Sequence, residues 1–188
     1  MKNLLWYDKS LDEFGLADDS TYENLLKENK YMAGIVFNFD EHNQSGSHWV
    51  SLFFNLKTGD IFYFDSVGHP KRNTKDGSDR GYARKPHHNI QKLVDQKLIP
   101  FLKKKGIEPN YIFNKTAHQQ KDSECGVYAE HFIEGMLKTG TNYLTNPNGQ
   151  PDIREEQRKQ HDFFNKMEKT IISDEEINKR RKVIFRRI

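Results

Sequence analysis

Four residue types that together can carry acyl transfer stand in order along this 188-residue chain: a histidine, an aspartate, a glutamine and a cysteine. The cysteine, Cys125, is the only one present. A single thiol excludes an intrachain disulfide and any cysteine-cluster zinc or iron–sulfur site. What remains is a buried bystander, an intermolecular link or a lone nucleophile. Cys125 stands where an irregular stretch, Thr116 to Glu124, meets an amphipathic run, so it is predicted to open a helix. Free N–H groups and partial positive charge at a helix start favour the thiolate, the form that attacks carbonyls. Gly126 follows directly and lets backbone or substrate approach closely. Gln119, six residues upstream, offers an amide N–H that could join the Cys125 backbone N–H in binding a developing oxyanion. Its neighbour Gln120 takes that role if the loop differs by one residue.

The histidine and the aspartate lie on a predicted hairpin. His48-Trp49-Val50-Ser51-Leu52-Phe53-Phe54-Asn55 and Asp60-Ile61-Phe62-Tyr63-Phe64-Asp65 flank a turn at Leu56-Lys57-Thr58-Gly59. With that turn as the loop, Asn55 faces Asp60 and Val50 faces Asp65. Side chains alternate with period two, so His48 and Asp65 become diagonal neighbours on one face, bridgeable by their side chains. A carboxylate there can fix the imidazole tautomer and stabilise the imidazolium. Taken singly, each residue has a plainer reading. Cys125 alone suits a small buried hydrophobe, Trp49 a core residue, Asp65 a strand-ending turn, and Gln119 ordinary loop polarity.

Other elements must hold these residues. Residues 1–32 read as helical, with Leu11, Phe14, Leu25 and Leu26 as core candidates. Met32 to Phe39 reads as a buried strand, and 68–88 as a glycine-rich basic surface loop. Ile90, Leu93, Val94, Leu98, Phe101 and Leu102 mark an amphipathic helix over 89–105, kinked at Pro100. Tyr111-Ile112-Phe113 is a short strand. Cys125 to Lys138 is a helix with Ala129, Phe132, Ile133, Met136 and Leu137 on its apolar stripe. A polar helix over 152–170 and a last short helix with a basic tail complete the chain. Helices and strands mix without regular βαβ alternation, which predicts an α+β fold: one domain over residues 1–188, with a central mixed, mostly antiparallel sheet flanked by helices.

The charges nearly cancel, 30 Lys+Arg against 27 Asp+Glu, so no one-sign field marks a dedicated nucleic-acid binder. The first apolar run ends at Asp8, too short for a secretion signal, and no stretch approaches a membrane span. An intracellular, non-membrane protein is expected. On that ground the two N-x-S/T matches, Asn43-Gln44-Ser45 and Asn114-Lys115-Thr116, are read as chance.

In order, spacing and flanking residues, His48-Trp49, Phe64-Asp65-Ser66, Gln119 and Glu124-Cys125-Gly126-Val127-Tyr128 resemble the adenain-like and ubiquitin-like-protein-specific cysteine proteases (clan CE). The matched region spans about residues 40 to 140. The resemblance implies an adenain-like fold with His48 as general base and acid, Asp65 orienting it, Cys125 as nucleophile and Gln119 in the oxyanion hole. Trp49 matches the family tryptophan beside the histidine, walling with Gly126 a narrow slot for small residues, and cleavage at Gly-containing sites follows. No cofactor or metal is implied, and a monomer is expected.

The phrase from His118 to Tyr128 and the run from Ile172 to Phe185 are similar to proteases of large DNA viruses and their virophages. That implies a capsid-maturation protease acting on structural precursor proteins in the host cytoplasm or virus factory, with packaging in the virion as a corollary. The alternative is an isopeptidase removing ubiquitin-like modifiers. An acetyltransferase on the same triad and an inactive interaction module stand behind it. Lys179, Arg180, Arg181, Lys182, Arg186 and Arg187 form a basic tail. It reads either as a solvated helix end or as a patch touching packaged DNA, whose binding would weaken steeply with salt.

Overall fold

The computed structural model describes residues 4–6, 15, 16, 18–39, 47–68, 71–73, 79–82, 86, 88–121, 123–140 and 152–184. A five-stranded mixed sheet in the order β1-β2-β3-β4-β7 forms its centre. The strands are β1 (Leu4–Trp6), β2 (Met32–Asn38), β3 (Trp49–Asn55), β4 (Asp60–Asp65) and β7 (Asn110–Phe113), with a separate ribbon of β5 (Lys71–Asn73) and β6 (Asp79–Tyr82). β2, β3 and β4 run antiparallel, while β1 and β7 add to the edges in parallel. The expected α+β class with a mixed central sheet is the one observed.

β3 and β4 are buried on both faces, which is why WVSLFFN and DIFYFD read as nearly unbroken apolar runs rather than alternating ones. On one face Val50, Leu52, Phe54, Ile61 and Tyr63 meet Tyr22 of α1 (Asp19–Lys27) together with Ile90, Leu93, Leu98, Phe101 and Leu102. Those last residues come from α2 (His88–Leu93), a five-residue π turn at Val94–Leu98, and α3 (Ile99–Lys104). On the other face Phe53, Phe62 and Phe64 meet α4 (Cys125–Lys138), α5 (Ile153–Lys169) and α6 (Asp174–Ile184) through Phe132, Met136, Phe164, Met167 and Ile177. The rings of Phe64 and Phe132 stack at 4.8 Å and 9°, seating α4 directly on β4. Such a pair adds about 0.5–1.5 kcal/mol beyond its buried area.

The hairpin register is the predicted one: Val50 pairs with Asp65, Ser51 with Phe64 and Leu52 with Tyr63. Elsewhere the fold departs from expectation. Residues 4–6 form a strand rather than part of a helix, because β2 offers them a free parallel edge. Leu11 and Phe14 lie outside the described residues, whereas Leu25 and Leu26 pack partly buried against the core. The 68–88 loop contains the β5–β6 ribbon. The 89–105 helix widens into a π turn before Pro100, whose missing N–H and bulky ring reject an ordinary α turn there. Leu137, at the end of its helix, is 44% exposed, not core.

One glycine ties the hairpin to the site. Gly68, just past β4, has φ +70, and a Cβ there would meet the backbone of Lys115 and Ala117 at 2.7 Å. The segment leading to Gln119 therefore runs across Gly68 with no room for a side chain. Gly68→Ala should destabilise the protein by about 1–3 kcal/mol through the left-handed backbone alone, with the clash added. A thermal melt showing no loss of stability would contradict this packing.

Candidate active site

β3 begins one residue after His48 and β4 ends at Asp65, so the open end of the hairpin carries both side chains. His48 Nε2 lies 2.8 Å from Asp65 Oδ1. The Asp65 carboxylate is almost fully buried, and its Oδ1 also accepts the backbone N–H of Val67 at 3.0 Å. A buried carboxylate persists only when donors surround it. Asn114, directly after β7, grips the same residue from behind: its Oδ1 accepts the Asp65 N–H at 2.8 Å and its Nδ2 donates to the Asp65 carbonyl at 2.7 Å. The sequence marked Asn114 only as part of an N-x-T match read as chance, with no internal role. It is 1% exposed, and this internal role explains the asparagine that also completes an N-x-T triplet.

The thiol comes from the other layer. Cys125 is the first residue of α4 and is buried. Its side chain lies near enough to the His48 ring to act on that ring's charge, and with Nε2 held by Asp65 it is Nδ1 that remains for a partner. Burial of the His48 ring opposes its charged form, but the hydrogen bonds and charges of Asp65 and Cys125 outweigh it and push the pKa up to about 9. The first turn of α4 has no side-chain cap. Glu124, placed to supply one, turns away to accept from Ser123 Oγ at 2.7 Å and Asn178 Nδ2 at 2.9 Å. The Asn178 amide, first among its neighbours, holds the Glu124 carboxyl below its ordinary value. An uncapped helix start directs partial positive charge at the thiol.

Gln119 reaches the site through the end of β4. Its Oε1 accepts from Ser66 Oγ at 2.6 Å, its backbone N–H donates to the Ser66 carbonyl, and its Nε2 donates to the Lys121 carbonyl. Gln120 is exposed, and its backbone N–H points to Asp174 instead. Between the two glutamines, only the Gln119 side chain is tied beside Asp65. The indole of Trp49 lies over Gly126, with ring atoms 3.6 and 3.7 Å from where a Cβ would stand. All six residues singled out by type and spacing thus meet where the hairpin end abuts the start of α4.

The basic tail is different. Arg181 Nη2 donates to the Ser123 carbonyl at 2.7 Å, and Lys179 lies 3.6 Å from Glu175. Arg186 and Arg187 lie outside the described residues, as does the side chain of Lys182. Sequence reasoning missed what α6 does here, because a charge run at a chain end reads as solvated.

The chain is similar to several known proteins. Over 165 residues the chain is 28% identical to a protein of Acanthamoeba polyphaga mimivirus named as a thiol protease, a stretch covering 88% of this chain and 42% of that protein. The chain therefore spans less than half the length of that relative. A crystal structure of an ASFV protease shares the fold with a TM-score of 0.52 at 17% identity, over 94% of this chain and 55% of that one. The SUMO protease Ulp1 aligns with a TM-score of 0.43 at 18% identity, over 87% and 69% of the two chains. Residues 24–148, which include His48, Asp65, Gln119 and Cys125, match the Ulp1 protease family, C-terminal catalytic domain. More than half of the chain is covered by that match, and the chain belongs to the Ulp1 protease family.

Proposed function

We propose that this chain is a cysteine endopeptidase in which Cys125 is the nucleophile, His48 the general base and acid, Asp65 its orienting partner and Gln119 an oxyanion donor. The single observation that carries this reading is the 2.8 Å bond from His48 Nε2 to the buried Asp65 carboxylate, with Cys125 at the start of α4 acting on the same ring. The thiolate attacks the scissile carbonyl, and the oxygen that gains charge meets the Cys125 backbone N–H and Gln119 Nε2. His48 gives its proton to the departing amine, leaving an acyl-enzyme thioester. Water, deprotonated by His48, then releases the carboxylic acid and regenerates the thiol. Trp49 and Gly126 wall the approach, so residues before the scissile bond should be small. Residues 1–188 act as one such domain, and as a monomer, on this proposal.

The substrates we assign are viral structural precursor proteins cut at Gly-containing sites, in the infected cell and with packaging of the enzyme as a corollary. The mimivirus relative favours this assignment. Removal of ubiquitin-like modifiers is the second reading, favoured by the family match. Cleavage of capsid precursors against ubiquitin-like fusions, run beside a Gly-Gly-X reporter, separates the two. DNA contact through the tail would fall to Lys179, Arg180, Lys182, Arg186 and Arg187, since Arg181 is engaged internally. No described helix is long and apolar enough to cross a membrane.

Cys125→Ala should abolish cleavage of the reporter, and retained cleavage refutes the mechanism because no other thiol exists. Asp65→Asn should lower kcat by ~10²–10⁴-fold. The pH dependence follows from His48, whose pKa rises on folding from 6.5 to about 9. The charged ring therefore stabilises the fold fully below pH 6.5, and that contribution fades as pH climbs towards 9. Activity should fall on the same alkaline limb, as the general acid loses its proton. In Asp65→Asn the limb should move to lower pH, and an unmoved limb assigns it to another group. Gly126→Ala meets Trp49 only at ordinary contact distance, so folding should be unimpaired. The added methyl should nonetheless raise KM by narrowing the slot, and an unchanged kcat/KM would remove Gly126 from substrate binding.

A further inference from the structure

Asp174, the first residue of α6, is a buried acid far along the chain from Cys125. Its Oδ2 accepts the backbone N–H of Lys121 at 2.9 Å and of Gln120 at 3.1 Å, and its Oδ1 accepts the Tyr128 hydroxyl at 3.0 Å. The residue thus held by its N–H, Lys121, offers its own carbonyl, in the next peptide unit, to Gln119 Nε2. A carbonyl oxygen can only accept, so it admits the –NH₂ end of the amide and rejects the oxygen end. At the other end Ser66 donates to Gln119 Oε1. The amide is therefore keyed in one orientation, with one Nε2 hydrogen left over. In the flipped orientation an oxygen would face the developing oxyanion and repel it.

The same face of α6 holds the rest of the loop. Asn178 donates to Glu124 Oε1 at 2.9 Å and Arg181 donates to the Ser123 carbonyl at 2.7 Å. Positions 174, 178 and 181 are spaced four and three apart, one stripe of a helix. Each grips a different point between Gln120 and Cys125.

We propose that Asp174 is a positioning residue for the reaction: by fixing the backbone of Gln120 and Lys121 it places the Lys121 carbonyl that orients the Gln119 amide towards the oxyanion. The proposal rests on Gln119 being the oxyanion donor. It makes the C-terminal helix part of the catalytic apparatus rather than a solvated tail.

The test compares Asp174→Ala, Asp174→Asn, Gln119→Ala and the double variant Asp174→Ala/Gln119→Ala in the full chain. Three quantities are read: kcat and KM on a Gly-Gly-X amide reporter, the rate of Cys125 alkylation by iodoacetamide, and the thermal melt. Alkylation needs a thiolate but no oxyanion hole. Loss of one oxyanion donor costs ~10²–10³-fold in kcat, so Gln119→Ala should show that loss. Asp174→Ala should lose about tenfold or more in kcat with KM and alkylation rate little changed, and the double variant should be no worse than Gln119→Ala. Should Asp174→Ala fail to melt cooperatively, Asp174→Asn, which keeps the volume and one acceptor oxygen, is expected to show a smaller loss with the same signature. Multiplying losses in the double variant, or full kcat in a folded Asp174 variant beside an impaired Gln119→Ala, overturns the positioning role alone. Full kcat in Gln119→Ala overturns the oxyanion assignment and the positioning role with it.

Discussion

The hydrogen bond between His48 and Asp65 closes the open end of one hairpin, and the chain around it serves to keep that bond in register. Strand pairing has a period of two, so a slip of one residue between β3 and β4 would send the two side chains to opposite faces. The register is held by burial on both faces. Phe53 and Phe62 sit in one core, while Leu52, Phe54, Ile61 and Tyr63 sit in the other. A slip would exchange the two sets between two differently packed cores, at the cost of voids and overpacking in both. A carboxylate that is 2% exposed adds its own demand for donors, met by His48 and Val67, while Asn114 fixes its backbone.

The second constraint is the placement of α4. Its first residue must reach a histidine that belongs to the sheet, and the stacking of Phe132 on Phe64 sets the helix down on the strand that ends in Asp65. Strand, acid and helix are thus coupled through adjacent positions, Phe64 and Asp65. The loop before Cys125 is fastened at both of its sides. Glu168 of α5 accepts the N–H groups of Lys115 and Thr116, and α6 takes the stretch from Gln120 to Glu124. Two helices, α5 and α6, therefore shape the loop that carries Gln119 and leads to Cys125.

Electrostatically the site is a short gradient. A buried acid faces one edge of the imidazole, and an uncapped helix start lies behind the thiol at the other. The hydrogen bonds and charges of Asp65 and Cys125 outweigh the cost of burying the ring, and the raised pKa of His48 is the result. The turning of Glu124 towards α6 keeps its carboxylate from capping α4, so negative charge is held away from the helix start at Cys125.

Local signals were sufficient for the hairpin register and the Cys125 helix, and they named six residues that lie about the hairpin end and the start of α4. Those signals are periodicity, a glycine turn, the order of the residues and the resemblance they carry. They act over a few residues, and each restricts which side of an element a side chain can take. What no local pattern contained was the set of long-range polar contacts. Asn114, Ser66 and Asp174 are ordinary loop and cap residues in isolation, and they acquire meaning only from the polar groups that folding brings opposite them, backbone N–H for Asn114 and Asp174 and the Gln119 amide for Ser66. The same holds for Leu4 to Trp6, which pair as a strand because β2 offers an edge, and for Arg181, whose charge is drawn inward by a carbonyl 58 residues away. Sequence determined which residues could react; the tertiary structure decided how they are held, because hydrogen-bond satisfaction in a buried loop depends on partners whose distance along the chain is unconstrained.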